Sequence, residues 1–372
     1  MFPEIKWRRA RSDWRHSLPL ALAALTAAEP QIPELGTKPA AVRTFRKAGR
    51  WLISEDASIS DPVLRQIFRS NGSHAWIQWL CRRLGRRIAI RSHAQAIFLK
   101  SNLRAFYPAL PITVKVANPG RPRASRRIAN EIESRRRLVD AGIIGLPRLY
   151  AASAKDAFLA EELIDARPVR RSGLTPREIA RQLLCFHQAN GIEFMPAGLA
   201  LDIDRDCRLV ADYSSRLGMA IPGGIASLAA TPGLSSALAA CALCHGDLTV
   251  TNLMIVREKL FITDWEWAER TLVFSDAVRL ATQLDGFDAC FLDEFNGLSK
   301  PAAPILDPTT QFLLAALHVA ARRIARRSDF EDPRALRAYD ARLKDRFLRI
   351  TRLIERLSAA APPAVDSLPG KK

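Results

Sequence analysis

Residues 112–117, Ile-Thr-Val-Lys-Val-Ala, alternate apolar and polar positions as a half-buried strand does, and they place Lys115 inside it. Short apolar runs at 88–90 and 96–99 predict strands before it, whereas 101–111 offers no glycine and reads as a loop. Helical periodicity predicts a helix over about 126–141, and strands follow at 146–150 and 157–165. Thr175-Pro176-Arg177-Glu178 is a capping box opening a helix that runs to 189. Residues 191–240, rich in Ala, Gly and Pro, predict further helices, and 238–244 is strand-like. The apolar runs 253–256 and 260–262 flank the polar break Arg257-Glu258-Lys259 and predict a β-hairpin. From 310 to 359 the chain reads as helix, interrupted near Asp332-Pro333, with Leu313, Leu314, Leu317 and Val319 on its apolar side and arginines on the other.

The first ninety residues carry elements without chemistry. An apolar helix over 18–28 precedes an irregular stretch marked by Pro30, Pro33, Gly36 and Pro39. Residues 44–53 predict a strand with a turn at Ala48-Gly49. Asp61-Pro62 opens a helix that Asn71-Gly72-Ser73 interrupts, and 74–84 form an aromatic amphipathic helix with Trp76 and Trp79. The basic residues ahead of 18–28 imitate a secretory signal. Glu4, Asp13 and Pro19 break that pattern, so a helix lying on the protein body or on a membrane is expected. No apolar run is long enough to span a bilayer.

Composition adds one unusual feature. A 48% hydrophobic and 25% charged chain is ordinary for a globular protein, but a net charge of +18 and a pI near 10.3 are not. Arginines cluster at Arg82-Arg83 with Arg86-Arg87, at 121–127, at Arg135-Arg136-Arg137 and at Arg322-Arg323 with Arg326-Arg327. Solvated helix faces account for each cluster singly; together they suit an anionic membrane surface better than nucleic acid. Six scattered cysteines form no disulfide framework and fit a reducing compartment. Cys241-Ala-Leu-Cys244-His245 spells a haem-attachment motif, yet it lies in the apolar strand-like run, and both thiols are expected to be core packing.

The candidate chemistry gathers around the hairpin. Asp247, Asn252 and Asp264 set two carboxylates and a carboxamide on its flanks, an oxygen set suited to Mg²⁺. His245-Gly246-Asp247, with Asn252 five residues on, and then Asp264-Trp265-Glu266, resemble the catalytic segment of the aminoglycoside phosphotransferase and choline kinase branch of the protein-kinase-like superfamily. The resemblance covers roughly 90–350, with its specific motifs at Lys115, Glu131 and 244–276. It implies an α+β, two-lobed protein-kinase-like fold: an N-terminal extension over 1–87, a small β-rich N-lobe over 88–165, a larger mainly helical C-lobe over 166–360 and a disordered tail over 361–372. It further implies ATP and Mg²⁺ as cofactors, Asp247 as the catalytic group at the acceptor hydroxyl, and Asn252 and Asp264 as metal ligands. Lys115 would face the phosphates and pair with Glu131, in preference to Glu133, and backbone near Glu162 and Ile164 would meet the adenine. Ser101 and Asn102 are the nearest candidates for the phosphate loop. His187 and Asp276 would be structural. The expected acceptor is a small molecule or glycan, a sugar or phosphorylated glycan before a polycation, because +18 is a poor host for aminoglycosides. A non-catalytic scaffold binding RNA or anionic lipid is the alternative, disfavoured because Lys115, Asp247, Asn252 and Asp264 are all present. ATP use implies a cytoplasmic protein, with room for a peripheral place at the inner face of the membrane.

Overall fold

The computed structural model describes residues 14, 17–36, 40–48, 50–57, 83, 85–99, 102–164, 167–169, 172–221, 223–298, 305–329 and 333–360. The predicted helices from Asp61 and over 74–84, Ser101 and the tail over 361–372 lie outside the described residues. The chain divides into two compact units, residues 1–173 with 251–267, and residues 174–250 with 268–372.

The first unit is β-rich. Strands β1 (Val42–Ala48), β2 (Trp51–Ser54), β3 (Arg86–Arg91), β4 (Ala96–Leu99), β5 (Asn102–Tyr107), β6 (Ile112–Ala117), β7 (Leu149–Ser153) and β8 (Phe158–Glu162) form one sheet in the order β3-β1-β2-β4-β5-β6-β8-β7. Its neighbouring strands pair antiparallel. Residues 102–107, read as loop, are a strand. Their alternation is invisible because both faces are buried: Leu103, Ala105 and Tyr107 enter one core, and Asn102 and Phe106 are covered too. Helix α1 (Leu18–Ala28) lies on the protein body, its Leu18, Ala21 and Leu25 packed with Phe45, Leu52, Val114 and Val116. Thus Trp14, α1, Ile32, Leu35, Phe45 and Leu52, within the stretch set apart as an extension, share the core of this unit.

Helix α2 (Pro122–Asp140) covers the opposite face. Ile128, Glu131, Ile132, Arg135 and Leu138 fall at helical spacing on its buried side. Ile128 and Ile132 pack with Leu159, and each stabilises by about 1.5–3 kcal/mol on burial. That burial offsets the desolvation of two charged neighbours on the same stripe. Arg135, expected in a solvated cluster, is buried and ion-paired to Glu161. Strands β9 (Arg167–Pro168), β12 (Leu253–Val256) and β13 (Lys259–Ile262) form a small sheet in the order β13-β12-β9. The hairpin turn is Arg257-Glu258 alone, both with positive φ as a type I′ turn requires, so Lys259 belongs to β13 and not to the break.

The second unit is mainly helical, in keeping with the α+β class. It contains α3 (Pro176–Ala189), α4 (Ile203–Arg216), α5 (Gly223–Ala230), α6 (Phe274–Ala281), α7 (Phe287–Asn296), α8 (Pro308–Ala325) and α9 (Pro333–Ala360). A three-stranded sheet joins β10 (Glu193–Pro196), β11 (Leu238–Cys244) and β14 (Glu269–Leu272). The Thr175–Glu178 capping box forms as read. Helix α8 is the centre, with α4, α6 and α9 packed on it and Phe312 meeting Phe274 at 5.5 Å between ring centroids. Among the described residues no helix is long and apolar enough to cross a membrane.

Candidate active site

In the first unit the site is built on β6. Residues 112, 114 and 116 enter the main core, so strand alternation turns Lys115 to the α2 face. Its side chain is 2% exposed, and Nζ lies 2.5 Å from Glu131 Oε2 and 2.8 Å from Asp264 Oδ1. Burial pulls the ammonium down, but the carboxylates of Asp264 and Glu131 outweigh it and hold Lys115 above its ordinary value. Burial pushes Glu131 up to about 7 while Lys115 pulls it back. The 2.5 Å contact, with a second carboxylate on the same ammonium, makes Lys115 and Glu131 an ion pair.

Asp264 follows β13 with φ +72, a left-handed conformation that a non-glycine residue holds at a cost of about 1 kcal/mol or more. The hairpin register, and the Thr263 N–H donated to the Asn252 carbonyl at 3.0 Å, set Asn252 beside the segment that carries it. Arg104, directly opposite Lys115 on β5, donates to the same Asp264 Oδ1 at 2.7 Å. Glu266 accepts from Asn102 Nδ2 at 3.2 Å and from Trp267 Nε1 at 3.0 Å, and Arg127 stacks over the Trp267 ring. Two cations therefore face three carboxylates, with Asn252 alongside. Hard oxygen donors and a slight excess of negative charge fit Mg²⁺, and the fixed cations fit a polyphosphate. The buried Oδ1 of Asn102 has no hydrogen-bond partner among the described residues, one more polar atom at this place.

The second unit holds Asp247. It follows β11 in a loop braced from below: Asp276 accepts the N–H of His245 at 2.8 Å and of Gly246 at 3.3 Å. Gly246 has φ +73, which a side chain would strain, and His245 Nδ1 accepts the Asp247 N–H at 3.2 Å. His187 is fully buried with Nε2 3.7 Å from Asp276, and burial lowers its pKa. The Asp247 carboxylate accepts from Arg279 Nη1 at 3.1 Å. Burial raises its pKa, but Arg279, Arg326, Arg323 and His245 prevail and hold it below the usual carboxylate value, so it is ionised at neutral pH.

Glu162 and Ile164 stand apart from these groups in kind. The Glu162 N–H donates to the Arg148 carbonyl at 2.8 Å and its carboxylate accepts from Arg148 N, so that N–H is already committed. Ile164 is half-buried, two residues beyond β8. Cys241 and Cys244 are three apart on β11 and so face opposite ways. Burial pushes Cys241 up to about 11 and Cys244 further, and Cys244 Sγ donates to the Leu272 carbonyl at 3.3 Å. His187, Cys244 and Asp276 approach one another, but the thiol and both carboxylate oxygens have these other contacts. Arg104, Glu266 and Arg279 had no role in the sequence reading. The signals were an arginine inside Leu-Arg-Ala-Phe-Tyr and an Asp276/Arg279 pair three apart on a helix whose other residues are almost all apolar.

No family model matches the chain, and no curated protein does. Solved structures with a similar chain path include a choline/ethanolamine kinase family protein from Mesorhizobium loti, at 18% identity over 69% of this chain and 90% of that one, with a TM-score of 0.41. A choline kinase from Streptococcus pneumoniae is similar at 16% identity over 70% and 90%, TM-score 0.45. Wild-type aminoglycoside 2'-phosphotransferase-IIIa, in its GDP complex, is similar at 15% over 70% and 90%, TM-score 0.48. At these TM-scores the likeness decides nothing about this chain, whose chemistry rests on its own residues.

Proposed function

We propose that the protein is an ATP-dependent phosphotransferase of the protein-kinase-like kind, moving the γ-phosphoryl group to a hydroxyl of a small molecule or glycan, a sugar or phosphorylated glycan by preference. The observation that carries the reading is Lys115, buried on a strand and shared between Glu131 at 2.5 Å and Asp264 at 2.8 Å. A buried lysine fixed by a helix glutamate is positioned to meet phosphate oxygens, and the strained Asp264 with Asn252 supplies the oxygen ligands for Mg²⁺. Bound Mg²⁺ supplies charge neutralisation on the transferring phosphate.

The chain's own residues have separable tasks. Lys115 holds the phosphates, and Glu131 holds Lys115. Arg104 keeps the Asp264 carboxylate oriented from the neighbouring strand. Asp247, kept ionised by Arg279, accepts or orients the proton of the acceptor hydroxyl. Glu162 and Ile164 remain the segment proposed for the adenine, through groups other than the Glu162 N–H. The test is calorimetric binding of Mg·ATP to wild type and Asp264→Asn. The reading expects micromolar-range binding that requires Mg²⁺ and falls at least about tenfold in the variant. Binding indifferent to both Mg²⁺ and Asp264 would refute it.

A further inference from the structure

Arginines read as the solvated face of α8 turn inward in the second unit. Arg322 is half-buried and ion-paired to Glu269, while Arg323 is only 6% exposed. Arg279 on α6, 1% exposed, holds Asp247. Arg326 lies within electrostatic reach of Asp247, and Arg346, exposed on α9, lies within reach of Arg279 and Arg323. Arg327 is drawn off, paired to Asp340 at 2.7 Å.

Five guanidinium groups thus gather where three carboxylates, Asp247, Glu269 and Asp276, stand near them. Asp276 is also engaged by two backbone N–H groups, and Glu269 by Arg322. No carboxylate is ion-paired to Arg323 among the described residues, and the Nε atoms of Arg279 and Arg323 are buried without hydrogen-bond partners. Arg279 and Arg323 are the buried members, and a buried guanidinium whose donors are not all met is costly unless an anion meets them. The strain is visible in the guanidinium groups themselves: burial, with Arg326 alongside, pulls Arg322 down to about 9, and burial with Arg279 and Arg346 pulls Arg323 well below its ordinary value. Such a group of planar forks matches phosphate or carboxylate oxygens. The cluster spans buried Arg279 and Arg323 and exposed Arg346.

We propose that Arg323, Arg326 and Arg346, gathered near the Arg279–Asp247 ion pair, form an oxyanion subsite that receives a phosphate or carboxylate group of the acceptor. The word acceptor rests on the phosphotransfer reading; the anion site stands on the cluster alone. An acceptor with an oxyanion near its reacting hydroxyl is drawn in and oriented, and a polyamine is repelled.

The test is calorimetry on the full chain at low salt, with inorganic phosphate and with malonate as probes, and Mg·ATP titrated separately on the same samples. Wild type is expected to bind at least one probe; stronger binding of phosphate points to a phosphomonoester acceptor, stronger binding of malonate to a carboxylate. Arg323→Gln should weaken that binding about tenfold or more, and Arg346→Gln, on the exposed surface of α9 where folding is not at risk, by about threefold or more. Wild type binding neither probe, or equal affinity in Arg346→Gln and a folded Arg323→Gln, would overturn the subsite. Phosphate binding lost in Lys115→Met but retained in both arginine variants belongs to the first unit and overturns it too. Anion binding that depends on these arginines in a protein that never binds Mg·ATP would keep the subsite and overturn its assignment to an acceptor.

Discussion

Replacing Lys115 by Met removes one ammonium from between two carboxylates while roughly keeping the side-chain volume. Glu131 is 0% exposed and loses its 2.5 Å partner outright. Asp264 loses a 2.8 Å contact but keeps Arg104 at 2.7 Å. Breaking a buried pair by removing one partner costs about 3–5 kcal/mol, and the retained Arg104 places this case near the lower end, about 3 kcal/mol. For a unit of this size each kcal/mol shifts Tm by about 2–4 °C, so the variant should melt about 6–12 °C below wild type. The deficit should depend on pH in a definite direction. Burial already raises the folded pKa of Glu131, and without Lys115 the pull downward is gone. A carboxyl whose folded pKa is raised contributes fully below the unfolded value of 4.5, and that stability is lost as pH rises through the folded value. Burial already pushes Glu131 up to about 7 beside Lys115, so the Lys115→Met deficit should grow as pH rises from about 6 to about 9, and Lys115→Met/Glu131→Gln should recover most of it. Thermal unfolding followed by circular dichroism across that range is the assay. A single variant melting within about 2 °C of wild type at pH 8, or a deficit that does not change with pH, would refute the reasoning.

Other perturbations separate the remaining roles. Asp264→Asn should lose Mg²⁺-dependent ATP binding, whereas Asp247→Asn should bind Mg·ATP normally and turn over about 10²–10⁴-fold more slowly; calorimetry beside a turnover assay distinguishes them. His187, whose folded pKa is lowered by burial, contributes stability that is complete above the unfolded value of 6.5 and lost as pH falls through the folded one. His187→Phe should flatten the fall in Tm between about pH 7 and about pH 5. Cys241→Ala/Cys244→Ala should cost about 1 kcal/mol per site and leave Mg·ATP binding intact, and the wild-type protein should carry neither a haem absorption band nor stoichiometric zinc.

Legibility followed the strength of local pattern. The hairpin at 253–262, the capping box at Thr175 and the strand holding Lys115 each combine a local rule with a burial pattern, and each formed. Glu131 and Asp264 were found through motif spacing and do meet at Lys115. Strand β5 was missed because a strand covered on both faces has no period to detect, and Arg104 inside it went with it. The arginines of α8 were misplaced for the opposite reason. Charged residues near a helix C-terminus read as solvated, and only the packing of α6 and α9 on α8 encloses Arg323. Arg135 went inward likewise, because Glu161 and the Pro147 carbonyl wait for it there, a long-range pairing no local pattern encodes.

The central claim is phosphoryl transfer to a hydroxyl acceptor, and ADP release from ATP and Mg²⁺ tests it most directly. Wild type and Asp247→Asn should be compared across neutral sugars, phosphorylated sugars and glycan fragments, amino alcohols and aminoglycosides. The account predicts Mg²⁺-dependent ADP release stimulated by a sugar or phosphorylated glycan, little response to aminoglycosides, and loss of the stimulation in Asp247→Asn. Stimulation that persists undiminished in Asp247→Asn, or no Mg²⁺-dependent ADP release with any acceptor from a folded wild-type protein, would contradict it.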